Sequence, residues 1–375
     1  MNLRTIDSSS KLYLGVGDFP HPATQLQYLE LCVRYVQIFE ENTTFIPRAL
    51  EDFVRLAHSD YTKVRYRCWY LFSRFVRGVK GRIGEISQTL IQAIGDLLVI
   101  KAELQPDNDE ADEDELDSNG GSEIQRDTVF NSQLHLFDAI GCMASAHSVP
   151  LQSKLLYIQS VINPLFADLE QTIPAAKEKD ERSLLQVHHD IMALGTIVRG
   201  FTDWMPGSKQ GEKPANEVQA EFARAAEAVL VSLEALSFSV VVRTAARFSF
   251  SRLVGGMGAA TLQQLPRWIE GLLSQNSSKE EMSFFLRLLE QVIFAFRGEI
   301  LAILDAVLTP LLQRVFERLA RTPNGTDEEL QLEDLQKEFL DFVLVIMNND
   351  LAGVFVSSGK FPLPFHIQVI TNSLN

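Results

Sequence analysis

The sequence has 375 residues, of which 46% are hydrophobic and 22% charged, and a formal net charge of -15. A chain of this length with uniform composition favours a repeat array over one compact core or several separate domains. Three widely spaced cysteines exclude a disulfide framework and a CxxC metal site, and no run of about 18 apolar residues predicts a membrane span. We therefore expect a soluble protein of a reducing compartment, without a signal peptide.

Apolar residues recur with helical spacing from residue 21 almost to the end, whereas strand-like alternation is nearly absent. Caps and turn residues divide this pattern into about fourteen helices. The predicted helices cover residues 22–39, 46–57, 61–79, 83–99, 128–146, 151–170, 176–203, 216–236, 239–254, 261–273, 279–297, 300–319, 327–349 and 363–373. Helix pairs that recur about every 40–47 residues are typical of HEAT and armadillo arrays. The predicted fold is all-α, a HEAT-repeat α-α superhelix (solenoid).

Two polar segments interrupt the helical pattern. Between Glu103 and Asp127 the sequence has eleven acidic residues and one arginine, so much of the negative charge belongs to one segment. Because such a run has little to bury, residues 101–127 are predicted to form a disordered acidic insertion. It separates HEAT repeats over residues 1–100, which include a basic helix, from repeats of the same solenoid over residues 128–375. A shorter loop is predicted over residues 205–216.

An internal repeat supports this organisation. The run VRYRCWYLFSRFV at 64–76 aligns without gaps with VRTAARFSFSRLV at 242–254, with six identities in thirteen positions. Arg65 falls on the apolar side of its helix, and Arg243 occupies the aligned position. Because a buried guanidinium needs a partner, we predict a structural ion pair of Arg65 with Asp60, or with an acid or carbonyl of the next repeat. The alignment predicts the same role for Arg243.

The helix predicted at 61–79 has a cationic stripe that spans about 80° at 100° per residue and continues beyond the helix end. Its members are Lys63, Arg67, Tyr70, Arg74, Arg77, Lys80 and Arg82. Second helices of HEAT units line the concave surface, so the stripe is expected to face the inside of the curve. Cations with an aromatic ring suit an RNA backbone, and Arg247 and Arg252 form a second, weaker patch. A solvated helix face or a site for an acidic protein fits these residues equally well.

Catalytic and metal sites have little support in the sequence. His188 and His189 are adjacent and followed by Asp190, but neighbouring helical residues point in different directions and no third ligand follows at zinc-like spacing. We predict no enzyme, no metal and no cofactor.

Three runs carry a resemblance to a known family. They are HPATQLQYLELCVRY at 21–35, IPRALEDFV at 46–54 and HSDYTKVRYRCWYLFSRFVRGVKGRI at 58–83. These runs resemble the exportin-T family of karyopherin-β proteins, and the resemblance fades to the helical pattern over the rest, including LTPLLQRVFERL at 308–319. It implies a HEAT solenoid, longer in its complete form, that binds tRNA together with RanGTP.

The resemblance also implies that this chain corresponds to the middle to C-terminal part of such an exportin, without the N-terminal arch that grips Ran. It implies tRNA contact by Lys63, Arg67, Arg74 and Arg77, a monomer that shuttles between nucleus and cytoplasm, and nucleoporins as further partners. The acidic insertion departs from the family pattern. The alternative left open is a non-enzymatic HEAT scaffold that binds a protein, such as an import receptor or another transport adaptor.

Overall fold

The computed structural model describes residues 21–104, 128–201, 211–273, 277–323 and 325–357. These residues form helices and no strands, which confirms the all-α prediction. None of the helices in these ranges is long and apolar enough to cross a membrane. Residues 105–127 of the predicted insertion, 205–210 of the predicted loop and the predicted helix at 363–373 lie outside the described residues.

The helices alternate between two layers along the chain. The first layer contains α3 (Ile46–Ala57), α5 (Ser87–Ala93), α7 (Leu151–Lys177), α9 (Asn216–Ala235), α11 (Ala260–Leu272) and α13 (Leu301–Leu319). The second layer contains α1 (Pro22–Arg34), α4 (Thr62–Gly78), α6 (Thr128–Ala144), α8 (Glu181–Val198), α10 (Val240–Met257), α12 (Lys279–Phe296) and α14 (Thr326–Asn348). The short helices are α2 (Gln37–Glu41) and α15 (Val354–Ser357). Each helix from α3 to α14 packs on a neighbour of its own layer, and most also pack on a paired helix of the other layer, as in a solenoid.

One continuous hydrophobic core runs between the two layers. Aromatic pairs pack in this core both within and between repeats. The ring centroids of Phe53 on α3 and Phe75 on α4 lie 5.0 Å apart, with the rings stacked. The ring centroids of Phe250 on α10 and Trp268 on α11 lie 4.6 Å apart. All four side chains are fully buried. Burying one such ring stabilises the fold by about 3 kcal/mol, so the pairs hold α3 to α4 and α10 to α11.

Glycines bring neighbouring helices of the second layer into backbone contact. A Cβ placed at Gly200, just after α8, would lie 2.1 Å from the carbonyl carbon of Gly141 on α6. A Cβ at Gly195 would lie 2.7 Å from the Cα of Ser249 on α10. Because real Cβ atoms do not approach backbone this closely, only glycine permits the observed spacing of α6, α8 and α10.

The α7–α8 turn differs from its prediction. α7 continues through Pro164 and Pro174 to Lys177, whereas a turn was expected before residue 176. The chain turns at Lys179, which has φ 65°, and the carboxylate of Asp180 accepts a hydrogen bond from the Ser183 backbone N–H at 2.8 Å, which begins α8. Apolar spacing continues across this turn, so periodicity alone could not place it.

Candidate nucleic-acid interface

Helix α4 exposes all four of its predicted cations, Lys63, Arg67, Arg74 and Arg77. Arg67 donates from Nη2 to Glu30 of α1 at 3.0 Å, and its guanidinium lies 5.0 Å from the ring centroid of Tyr70. Arg74 donates from Nη1 to the Tyr70 hydroxyl at 2.9 Å. Tyr70 therefore links the two arginines and orients them along the helix.

The stripe meets the next repeats at a buried carboxylate, Asp138 of α6, which is 4% exposed. Arg77 donates from Nη2 to both oxygens of Asp138 at 2.8 Å, and Ser73 donates its hydroxyl at 2.6 Å. Arg199, at the end of α8, places its Nε 3.9 Å from Asp138 Oδ1. One acidic group thus gathers guanidinium groups from two helices, and both remain about half exposed.

Arg252 of α10 adds a third helix to this surface. It donates to the Phe248 carbonyl at 2.9 Å, and its guanidinium lies 3.4 Å from the Phe248 ring centroid. Burial and the positive charge of Arg199 lower the pKa of Arg252 to about 10, against a smaller opposing effect of Asp138, so it stays cationic at neutral pH. Positive charge is concentrated at this point of the surface.

We name Arg67, Arg74, Arg77, Arg199 and Arg252 the arginine row. Two carboxylates among the described residues, Glu30 and Asp138, form ion pairs with members of this row. A surface on which guanidinium groups from several helices gather suits a polyanion, although the chain as a whole is acidic.

The remaining residues of the predicted stripe lie at its two ends. Lys63 and Arg82 are exposed, and their side chains form no hydrogen bond or ion pair with any described residue. Lys80 is half-buried, and its ammonium lies 3.4 Å from the Gly200 carbonyl oxygen.

Arg247 was predicted to belong to the RNA surface, and the structure corrects this. Its side chain is 11% exposed and donates from Nη1 to Glu281 of α12 at 2.9 Å. Arg243, which is fully buried, binds the same carboxylate through Nε and Nη2, each at 3.0 Å, and also donates to the Ser237 carbonyl. Both arginines are occupied in joining α10 to α12.

The predicted pair of Arg65 and Asp60 is absent from the described structure. Arg65 is half-buried, donates to the Ser59 carbonyl at 3.3 Å and lies against the rings of Tyr66 and Trp69. Asp60 is exposed. The position equivalent to Arg243 therefore finds a backbone carbonyl and aromatic faces instead of an acid.

Arg199 lies inside the helix predicted over residues 176–203, and the sequence analysis gave it no role in the site. A signal was present: the tripeptide Val-Arg-Gly at 76–78 recurs at 198–200. In both copies the arginine reaches Asp138, and the glycine lies where a Cβ would collide with a neighbour. Repetition of this tripeptide at the ends of second-layer helices would have predicted Arg199.

The histidine pair lies apart from the arginine row, inside the core. His188 and His189 are buried with Nδ1 atoms 3.0 Å apart, so the expectation that they diverge is wrong. The His189 ring stacks on Phe130 at 3.7 Å. Burial and the nearby Asp168 charge raise the pKa of Asp190 well above its usual range. Among the described residues, no three or more His, Cys, Asp and Glu side chains meet in an arrangement that could hold a metal ion.

Paired helices stacked in two layers, each packed on its neighbours along the chain, define the class of α-solenoid proteins. The Exportin-T family model matches residues 8–370. The chain belongs to the exportin-T family, which confirms the resemblance seen in the sequence and implies HEAT repeats.

Curated relatives named Exportin-T agree with this assignment. The protein of Aspergillus clavatus is 51% identical over 97% of this chain and 34% of the relative. The protein of Aspergillus niger is 52% identical over 93% of this chain and 34% of the relative. The protein of Phaeosphaeria nodorum is 51% identical over 93% of this chain and 33% of the relative. The chain spans about a third of the length of these relatives.

Proposed function

We propose that this chain is the tRNA-binding segment of a nuclear export receptor and that the arginine row contacts the RNA backbone. The observation that carries the proposal is the set of five guanidinium groups that α4, the end of α8 and α10 present on one surface of an acidic chain. Guanidinium groups bind phosphate oxygens and 2′-hydroxyls through fixed donors, and Tyr70 adds a ring on which a base or ribose can pack.

In the longer protein we infer that RanGTP is gripped mainly by repeats other than those of this chain and that it acts together with tRNA. The receptor then shuttles between nucleus and cytoplasm as a monomer, with nucleoporins as transient binding partners. The role is binding and carriage, without a catalysed reaction, and the arginine row is expected to line the concave side of the solenoid.

The test is tRNA binding by fluorescence anisotropy at about 50 and about 200 mM salt. A variant with Arg74→Gln, Arg199→Gln and Arg252→Gln should lose affinity and flatten the slope of log affinity against log salt by about three. Arg267→Gln is the matched control, because Arg267 is an arginine of the first layer paired with Glu227 and Glu234. Equal affinities for the triple variant and the control contradict the proposal.

A protein partner is the second candidate, favoured by exposed apolar side chains on two packed second-layer helices. Phe294 on α12 is 65% exposed and Met347 on α14 is 55% exposed. If the wild-type chain shows no salt-dependent binding to tRNA, this scaffold function becomes the preferred one.

A further inference from the structure

A cavity of about 430 Å³ lies between α5, α6, α7 and α8 and shares no residue with the arginine row. Its lining includes the exposed residues Gln92 and Pro164, so the cavity reaches the protein surface. Asp168 of α7 and Asp190 of α8 also line it, and we name it the carboxylate cavity. The rest of its wall is largely apolar and includes the buried side chains of Ile91, Phe137, Val161 and Leu165.

Asp190 is fully buried at the wall of the carboxylate cavity. Neither of its carboxyl oxygens accepts a hydrogen bond from a described residue. Buried polar atoms are nearly always hydrogen-bonded, because an unfilled acceptor away from water destabilises the fold. An acceptor left open beside a cavity therefore points to a ligand that donates hydrogen bonds there.

Asp168 adds a second carboxyl group with only neutral donors. It accepts hydrogen bonds from the Gln186 amide at 2.6 Å and from the Thr172 hydroxyl at 3.5 Å. Neither aspartate forms an ion pair with a described residue, and the described lining includes no lysine or arginine. Burial, the charge of Asp168 and a hydrogen bond with Asp168 raise the pKa of Asp190 well above its usual range. Asp190 therefore stays protonated, and the pair carries one negative charge.

A proline inside α7 adds a third acceptor. Pro164 has no backbone N–H, so it gives no helical hydrogen bond to the carbonyl oxygen of Ser160, four residues earlier. Both residues line the cavity. The Ser160 hydroxyl is already used, since it donates to the Tyr157 carbonyl at 2.8 Å. The inner polar groups of the cavity are thus acceptors set among apolar side chains.

We propose that the carboxylate cavity binds an alkylammonium group, supplied by a small aliphatic amine. An ammonium group has three N–H donors and one positive charge, which matches the acceptors of the cavity and the single charge of the aspartate pair. The apolar wall suits the alkyl stem, and the volume accepts a stem of several carbon atoms. Because RNA is anionic, this site is separate from the proposed tRNA surface, and the two proposals can fail independently.

The test is titration calorimetry of the wild-type chain with n-butylamine at about pH 7, where an alkylamine is protonated. The neutral comparison is n-butanol, which has the same stem and a hydroxyl in place of the ammonium group. Butylammonium should bind saturably to one site, and butanol should bind at least about tenfold more weakly, since the charge-assisted contact is absent.

Asp168→Asn should weaken the binding of butylammonium about tenfold and leave that of butanol nearly unchanged. Glu170→Gln is the matched control, because Glu170 is an exposed acid of the same helix outside the described lining. Circular dichroism shows whether both variants are folded.

A lysine with acetylated α-amine and methylamidated carboxyl group identifies the source of the ammonium group. Failure of this blocked lysine to displace butylammonium supports the site with a free amine as ligand. Displacement supports the site with a lysine side chain of a partner as ligand. Absence of saturable butylammonium binding, or equal affinities for butylammonium and butanol, overturns the proposal. Equal affinities of the folded Asp168→Asn and Glu170→Gln variants for butylammonium overturn it as well.

Discussion

The guanidinium of Arg243 binds both carboxylate oxygens of Glu281, each across 3.0 Å, although the arginine is fully buried. The carboxylate also pairs with Arg247, and Glu281 accepts a hydrogen bond from the backbone N–H of Ser278. A single acid therefore satisfies two arginines of α10 and caps α12. Loss of that acid leaves charge in the core without a partner.

Glu281→Gln is expected to lower the free energy of unfolding by about 3–5 kcal/mol, the usual effect of breaking a buried ion pair. Urea unfolding followed by circular dichroism measures the change. Glu280→Gln is the control, since Glu280 is the exposed neighbour in the same helical turn. A similar loss of unfolding free energy in both variants would show that the ion pairs of Glu281 contribute little to stability.

The same carboxylate makes stability depend on acid pH. Burial alone would raise the pKa of Glu281, but hydrogen bonds from Arg243, Ser278 and Arg247 outweigh it and hold the pKa below its usual range. A lowered pKa in the folded state gives stability that is present above the unfolded pKa of about 4.3 and lost as pH falls through the folded value. Thermal melts between about pH 7 and pH 3 should show this loss in the wild type and a smaller one in Glu281→Gln.

Glu290 should give the opposite pH dependence. Burial and the charges of Glu338 and Asp341 raise its pKa to about 7, against a smaller effect of Arg287. Because the folded state then holds a proton that the unfolded state has lost, stability falls as pH rises from about 4.3 to about 7. Glu290→Gln should be more stable than wild type at pH 8 by about 1 kcal/mol, allowing for solvent screening. Chemical unfolding at pH 5 and pH 8 tests this, with exposed Glu299→Gln as the unaffected control.

Gly200→Ala should destabilise the fold by about 1–3 kcal/mol, because its methyl group has no space beside the Gly141 backbone. Gly95→Ala provides the comparison, since a Cβ there meets no atom within 4 Å. In thermal unfolding, the Gly200→Ala variant should melt at a clearly lower temperature than the Gly95→Ala variant. Equal melting temperatures would mean that the helices move apart without penalty.

The sequence predicted the positions of side chains on one helix better than the contacts between side chains of different helices. Lys63, Arg67 and Arg74 could be placed on one face because their spacing follows the helical period. Arg199 joins them through Asp138, which belongs to another repeat. Arg247 looked equally exposed in the sequence, because its partner Glu281 lies 34 positions away and no local pattern links them. Packing between repeats therefore determines both that Arg199 joins the row and that Arg247 is held in an ion pair.

The backbone contact of Gly200 with Gly141 also bears on the proposed RNA contact of the neighbouring Arg199. Helices that touch without intervening side chains have little room to slide, so the guanidinium groups on either side keep a set separation. A preorganised row of donors loses little conformational entropy when an anion arrives, and more of the contact energy remains as affinity. The glycines thus give the charged surface its rigidity while contributing no charge themselves.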